Sequence, residues 1–318
     1  MATLAIMNFL RSCFLLFFLF QMDHSMAQSN QRIGHIRMFG DVNITIDYPI
    51  AAKKVQPIQL IFFALPNGNS TAWTMGKKKE PGDDWHFDIQ HIQAQTAFIR
   101  NALPSKSVVV VYLENDQKSW PAWKQKHPDF LQNTKHLIDS IGSLFLEPEI
   151  HLNGHSGGGS FIFAYLKAVD NIPQKIKRIS FLDSDYNYDS SYYNKLHDWL
   201  KNKSHQLRVF AYNDSIALYN GKPVVSATGG TWYRSKKMLA DLSNEFQFHN
   251  FSTDSILIYK SKSKQIQFFL KTNPERKILH TKQVELNGFI HSELSGTKMD
   301  SKQYIYYGNR AYEAYLKN

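Results

Sequence analysis

The run Gly154-His155-Ser156-Gly157-Gly158 holds the residues whose types and spacing point most directly to chemistry. A serine with glycine two positions away on either side fits the G-x-S-x-G turn, a sharp strand-to-helix bend that presents the hydroxyl as a nucleophile. The flanking sequence agrees with that reading. Residues 149–153 read as a strand, and Phe161-Ile162-Phe163-Ala164-Tyr165-Leu166 reads as a helix apolar on most sides, hence buried. Gly157 would then offer its N–H beside the nucleophile, at the positive end of that helix.

A serine hydroxyl is a poor nucleophile near neutral pH unless a base removes its proton. The base is expected on a loop late in the chain, and His291, within Asn287-Gly288-Phe289-Ile290-His291-Ser292, is assigned that role. His280 falls within residues 277–284, read as a strand, and is given a structural role. A carboxylate must hold the imidazole in the right tautomer. Asp214 is preferred, just beyond the strand at 207–212. Asp183, at the end of the strand at 178–182 with Asp185 two positions on, is the alternative. Asn213-Asp214-Ser215 also has the composition of a simple turn. The second oxyanion donor is expected from Pro66-Asn67-Gly68-Asn69, through the backbone N–H groups of Gly68 and Asn69 acting beside Gly157.

The elements that must position these groups follow a clear order. Val42-Asn43-Ile44-Thr45-Ile46-Asp47-Tyr48 alternates as a half-buried strand does, and with residues 35–39 it predicts an antiparallel hairpin turned at Gly40-Asp41. Apolar runs then alternate with helical segments. Strands are expected at 59–65, 108–113, 149–153, 178–182, 207–212, 265–270 and 277–284. Helices are expected near 88–103, from Pro128, at 161–166, 192–200, 236–246 and 303–316. This alternation predicts a mostly parallel central sheet with helices on both faces.

Composition is that of a globular protein, with 43% hydrophobic and 20% charged residues among 318. Arg11, the apolar run from Cys13 to Phe20, and Ser25-Met26-Ala27 predict a cleaved secretory signal at 1–27, too short to span a bilayer, followed by one domain at 28–318. The single cysteine, Cys13, lies within that signal, so neither disulfide nor thiol chemistry is expected of the exported chain. The net charge of +10 is scattered, and no zinc-finger or RNA-binding signature accompanies it, which argues against nucleic acid. Asp83, Asp84, His86, Asp88 and His91 cluster at a predicted helix start, where acidic residues are favoured anyway, and no metal is assigned to them.

In its order of serine, acid and histidine, laid on alternating strands and helices, the chain resembles the α/β-hydrolase superfamily over essentially all of its exported length. The resemblance implies a Ser-His-Asp triad, an acyl-enzyme intermediate and no cofactor. Ser156 matches the nucleophile, His291 the base and Asp214 the usual acid position, while some lipase-like members place the acid where Asp183 lies. Asn67-Gly68 stands where the family often has His-Gly. The long stretch between Asp214 and His291 departs from compact members and has room for an extra hairpin. Trp73, Trp120, Trp123 and Trp232 fall in segments following parallel strands, where ligands bind in such sheets, and are the candidate substrate-binding aromatics. The expected activity is that of a secreted or periplasmic carboxylic-ester hydrolase acting on a small-molecule or carbohydrate ester. A serine peptidase on the same scaffold and a non-catalytic envelope binding protein are the alternatives.

Overall fold

The computed structural model describes residues 31–49 and 56–318; the expected signal at 1–27 lies outside them. Alternation in the first apolar stretch puts Val42, Ile44 and Ile46 on one buried face. It forms β2 (Val42–Pro49), antiparallel to β1 (Gln31–Met38). The later apolar runs are buried on both faces, as strands in the middle of a parallel sheet must be. They form β3 (Ile58–Ala64), β4 (Ser107–Asn115), β5 (Glu149–His155), β6 (Ile176–Leu182) and β7 (Gln206–Tyr212).

A small hairpin of β8 (Leu218–Tyr219) and β9 (Lys222–Pro223) stands apart from the main sheet, within the stretch expected to hold one. The main sheet is completed by β10 (Phe248–Asn250), β11 (Ile256–Ser261) and β12 (Ile266–Lys271). Its order is β1-β2-β4-β3-β5-β6-β7-β12-β11-β10. β3 to β7 and β12 run parallel, and the two ends are antiparallel.

The helices are α1 (Thr71–Met75), α2 (Ile92–Ala102), α3 (Trp120–Lys126), α4 (Phe130–Gly142), α5 (Gly159–Ala168), α6 (Tyr193–Leu200), α7 (Thr231–Leu242), α8 (Lys282–Glu285) and α9 (Gly288–Leu294). They cover both faces. Side chains of α3 to α7 pack with one face of the sheet around Leu152, Phe161, Ile179 and Val209. Those of α2 and α9 join the other face around Phe63, Phe210, Phe269 and Phe289.

Two expected elements are absent among the described residues, each for a reason that bears on the site. Residues 277–284 are not a strand, because β11 already takes the free edge of β12. The segment's backbone donors turn inward instead: Gln283 N–H bonds the Leu279 carbonyl and Glu285 N–H the Thr281 carbonyl, closing the short helix α8. Residues 303–316 do not form a continuous helix either, only a single 3-10 turn at Glu313–Tyr315. Ser301, Gln303 and Tyr307 have positive φ, which interrupts helical backbone. The tail is tied down by Asn287, whose side-chain amide donates to the carbonyls of Ile305 and Asn309.

One layer of the fold is polar where the sequence pattern suggests only core. His151 and Asn153 of β5 and Arg178 and Ser180 of β6 face α9. Glu293 sits at the centre of that layer and accepts from His151 Nδ1 at 2.5 Å, Asn153 Nδ2 at 3.0 Å and Gln59 Nε2 at 3.1 Å. Arg178 and Arg208 extend the layer to the carbonyl of Ser295, at 3.3 and 2.8 Å. A buried charge is tolerable only with such a full set of partners.

Candidate active site

β5 ends at His155 and α5 begins at Gly159, so the turn between them is three residues long. Ser156 sits on it with φ of 55°, a left-handed conformation that costs a non-glycine residue energy and is common at functional turns. The glycines that follow are required by close approach. A Cβ at Gly158 would collide with the carbonyl oxygen of Ala64 at the end of β3, and one at Gly157 with the side-chain amide of Asn67. Ser156 is half-buried, and Gly157 is the residue whose N–H adjoins it.

The histidine beside this turn is His280, not His291. The His280 ring lies 4.5 Å from that of His155, the residue preceding Ser156, and His155 Nε2 contacts the His280 carbonyl at 3.3 Å. Nδ1 of His280 is paired with Oδ2 of Asp183. That bond fixes the tautomer and leaves Nε2 as the nitrogen able to take a proton. His155 itself is held neutral, its pKa pushed well below the usual histidine value by burial and then by the proximity of His280.

His291 is elsewhere. It lies within α9, 3% exposed, with Nδ1 bonded to Tyr304 Oη at 2.8 Å. Its ring stacks on Tyr306 and meets Phe269 edge-on at 4.5 Å. Burial lowers its pKa to about 3, so it is a neutral, packed core histidine. The late-loop rule led to His291, whereas the histidine placed beside the serine turn, His280, lies in residues 277–284, which read as a strand in the sequence.

The two candidate acids are both buried, and they do different things. Asp183, at the end of β6 with φ of 48°, contacts His280 through Oδ2 and the Thr231 hydroxyl through Oδ1. Asp214, preferred from the sequence, accepts the backbone N–H groups of Thr231 at 2.8 Å and Trp232 at 3.4 Å. It therefore caps the N-terminus of α7, satisfying amides that have no partner inside the helix. Asp185 accepts from Ser235 at 2.8 Å, and burial raises its pKa well above the carboxylate range.

The oxyanion loop also differs from expectation. Gly68 N–H donates to the carbonyl of Lys118, between β4 and α3, at 2.7 Å and Asn69 N–H to the Pro66 carbonyl within the loop at 3.4 Å, so both amides already have backbone partners. The loop residue set against the elbow is Asn67, by its contact with Gly157. A signal for it was present in the sequence, since it lies two residues beyond the apolar run of β3.

The four candidate tryptophans divide. Trp120 and Trp123 are each 2% exposed. The first packs edge-on against Phe161 of α5 at 4.6 Å, and the second donates Nε1–H to Asp41 at 3.1 Å; they are core, not rim. Trp73 is half-buried and stacks on His86 at 4.3 Å, whose other neighbour is the exposed Trp85 at 3.8 Å. Trp232 is half-buried on α7 and lines an open cleft. In the acidic cluster near 83–91, Asp84 caps the turn of His86 while Asp88 pairs with His91 and Arg310. Among the described residues no group of three or more His, Cys, Asp or Glu is placed to hold a metal. No described helix is long and apolar enough to cross a membrane.

The strand order, the crossover helices and the serine turn after the fifth strand together define an α/β-hydrolase fold. No protein-family model matches the sequence, and no curated protein matches it. Among solved structures, the chain is similar to a feruloyl esterase module from Clostridium thermocellum complexed with sinapinate, at 8% identity over 78% of this chain and 83% of that one, with a TM-score of 0.49. It is likewise similar to a thermostable esterase, at 14% identity over 80% and 59% of the two chains and a TM-score of 0.47. An S-formylglutathione hydrolase from Agrobacterium tumefaciens follows at 12% identity over 85% and 98%, with a TM-score of 0.45.

Proposed function

We propose that this protein is an exported serine hydrolase that cleaves carboxylic esters through an acyl-enzyme, with Ser156 as nucleophile, His280 as base and Asp183 as acid. The observation that carries this reading is the His280–Asp183 pair, with its imidazole 4.5 Å from the ring of His155, the residue that precedes Ser156. In the first half-reaction Ser156 Oγ attacks the ester carbonyl while His280 Nε2 takes its proton. The negative charge on the carbonyl oxygen is received at the Gly157 N–H, with Asn67 as the neighbouring polar group. Collapse expels the alcohol, which collects the proton from His280. A water then attacks the acyl group by the same path in reverse order, and the carboxylic acid leaves. Asp183 keeps Nδ1 protonated throughout and stabilises the imidazolium as it forms.

The half-buried setting of Ser156 and the aromatic groups Trp73, Trp85 and Trp232 suit an ester of a carbohydrate or another ring-bearing molecule. Export rests on the leader sequence at 1–27. The test is labelling by a fluorophosphonate probe together with turnover of 4-nitrophenyl acetate. Wild type is expected to do both. Ser156→Ala should lose labelling, and both it and His280→Ala should lose about three orders of magnitude or more in kcat. Labelling that survives Ser156→Ala overturns the nucleophile, and a wild type that neither labels nor turns over favours a binding protein.

A further inference from the structure

An open cleft of about 480 Å³ lies at the start of α7, lined by Ser215, Ala227, Trp232, Tyr233, Lys236 and Lys237. Its volume is within the range of small-molecule sites. Two of its walls adjoin the buried carboxylates Asp183 and Asp214. Thr231, the residue before Trp232, holds Asp183, and Ser215 follows Asp214. Lys236 Nζ stands 5.5 Å from the centre of the Trp232 ring. Among the described residues neither Lys236 nor Lys237 forms an ion pair with a carboxylate, although eleven pairs join other lysines and arginines to carboxylates. Two cations outside any close carboxylate ion pair, one of them over the Trp232 ring, beside two aromatic rings in a concave site form a defined combination. A neutral sugar would leave the lysines unused, and a bare phosphate would leave the ring faces unused.

We propose that this cleft is a substrate subsite for an acidic sugar, with its ring against Trp232 and Tyr233 and its carboxylate between Lys236 and Lys237. The proposal rests on the ester-hydrolase reading and gives it a substrate class, the acylated uronate-containing carbohydrate. The net charge of +10 favours the same polymer by drawing it to the surface before it docks. Two ammonium–carboxylate contacts at a partly exposed site are together worth about a ten-fold change in affinity.

The experiment has a binding arm and a turnover arm. Titration calorimetry with unmodified tri-galacturonate and with cellotriose, on wild type and on the Lys236→Ala/Lys237→Ala double variant, reads the subsite alone. Wild type is expected to prefer tri-galacturonate by roughly ten-fold at low salt. The double variant should lose that preference while its circular dichroism and melting temperature stay those of wild type. Equal affinity for both sugars in wild type, or a preference that survives in the folded double variant, overturns the subsite. In the turnover arm, the ratio of kcat/KM for acetylated tri-galacturonate to that for 4-nitrophenyl acetate should fall about ten-fold in the double variant, and an unchanged ratio overturns the assignment to substrate. A wild type inactive on both esters defeats the hydrolase reading, while the binding arm still decides whether the cleft takes acidic sugars.

Discussion

Thr231 donates its hydroxyl to Asp183 and its backbone N–H to Asp214, so one residue ties two buried carboxylates into a single patch. The patch is asymmetric. Asp214 is raised to about 6, first by burial and then by the charge of Asp183, and its oxygens are spent on the first amides of α7. Only Asp183 touches the imidazole. Replacing each by asparagine separates the two roles. Asp183→Asn presents an amide to His280 and disturbs the tautomer, and kcat on 4-nitrophenyl acetate should fall by about three to four orders of magnitude. Asp214→Asn keeps an acceptor oxygen for Thr231 and should stay within about ten-fold of wild type. The reverse order of losses, with both variants folded by circular dichroism, would return the acid role to Asp214. Which carboxylate meets the histidine was not legible from the sequence, because both candidates follow a parallel strand and the Thr231 bridge joins positions 48 and 17 residues apart.

At the scale of elements, the parallel strands and the serine turn were legible because each is marked locally, by runs such as Val108 to Leu113 and by the glycines around Ser156. What was not legible depended on partners distant in sequence. Residues 277–284 look like a strand until β11 occupies the edge they would need, and that reading displaced His280 from the site. Trp120 and Trp123 sit on α3, an element not expected, and that helix turns both rings into the core against α5. The packing role has a measurable consequence. Trp120→Ala should lower unfolding stability by about 3–5 kcal/mol, from lost burial and the cavity left beside Phe161. At temperatures where the variant is folded, fluorophosphonate labelling should persist. A variant as stable as wild type but with a raised KM would restore Trp120 to the substrate rim.

For the whole molecule, the buried histidines set an acid limit. Burial pushes His91, His151, His155 and His291 below the usual histidine value. Their folded values lie below the unfolded one, so the unfolded chain takes up protons first as pH falls through about 6.5. Stability is therefore full above that pH and declines below it, by up to ~1.4 kcal/mol per pH unit for each histidine. Glu293 adds a second step. Burial alone would raise its carboxyl, but His151, Arg178 and Asn153 outweigh that and hold it low. Its contribution is present above the unfolded glutamate value of about 4.3 and is lost as pH falls through the lower folded value. Thermal melts from pH 8 to pH 4 should show the midpoint falling from about pH 6.5 downward. A midpoint that holds steady or rises between pH 6.5 and pH 5 would contradict this account.

The borders of the main sheet carry a consequence for how the molecules behave in company. One border is β10, three residues long; the other is β1, which carries exposed Arg32, His35 and Arg37. A sheet grows by adding a strand to an open, flat and apolar rim, and neither border offers one: the first is too short for register, and a second copy of the other would bring like charges face to face. Among the described residues, the ten-stranded sheet thus has borders that discourage a neighbour from adding a strand at either end.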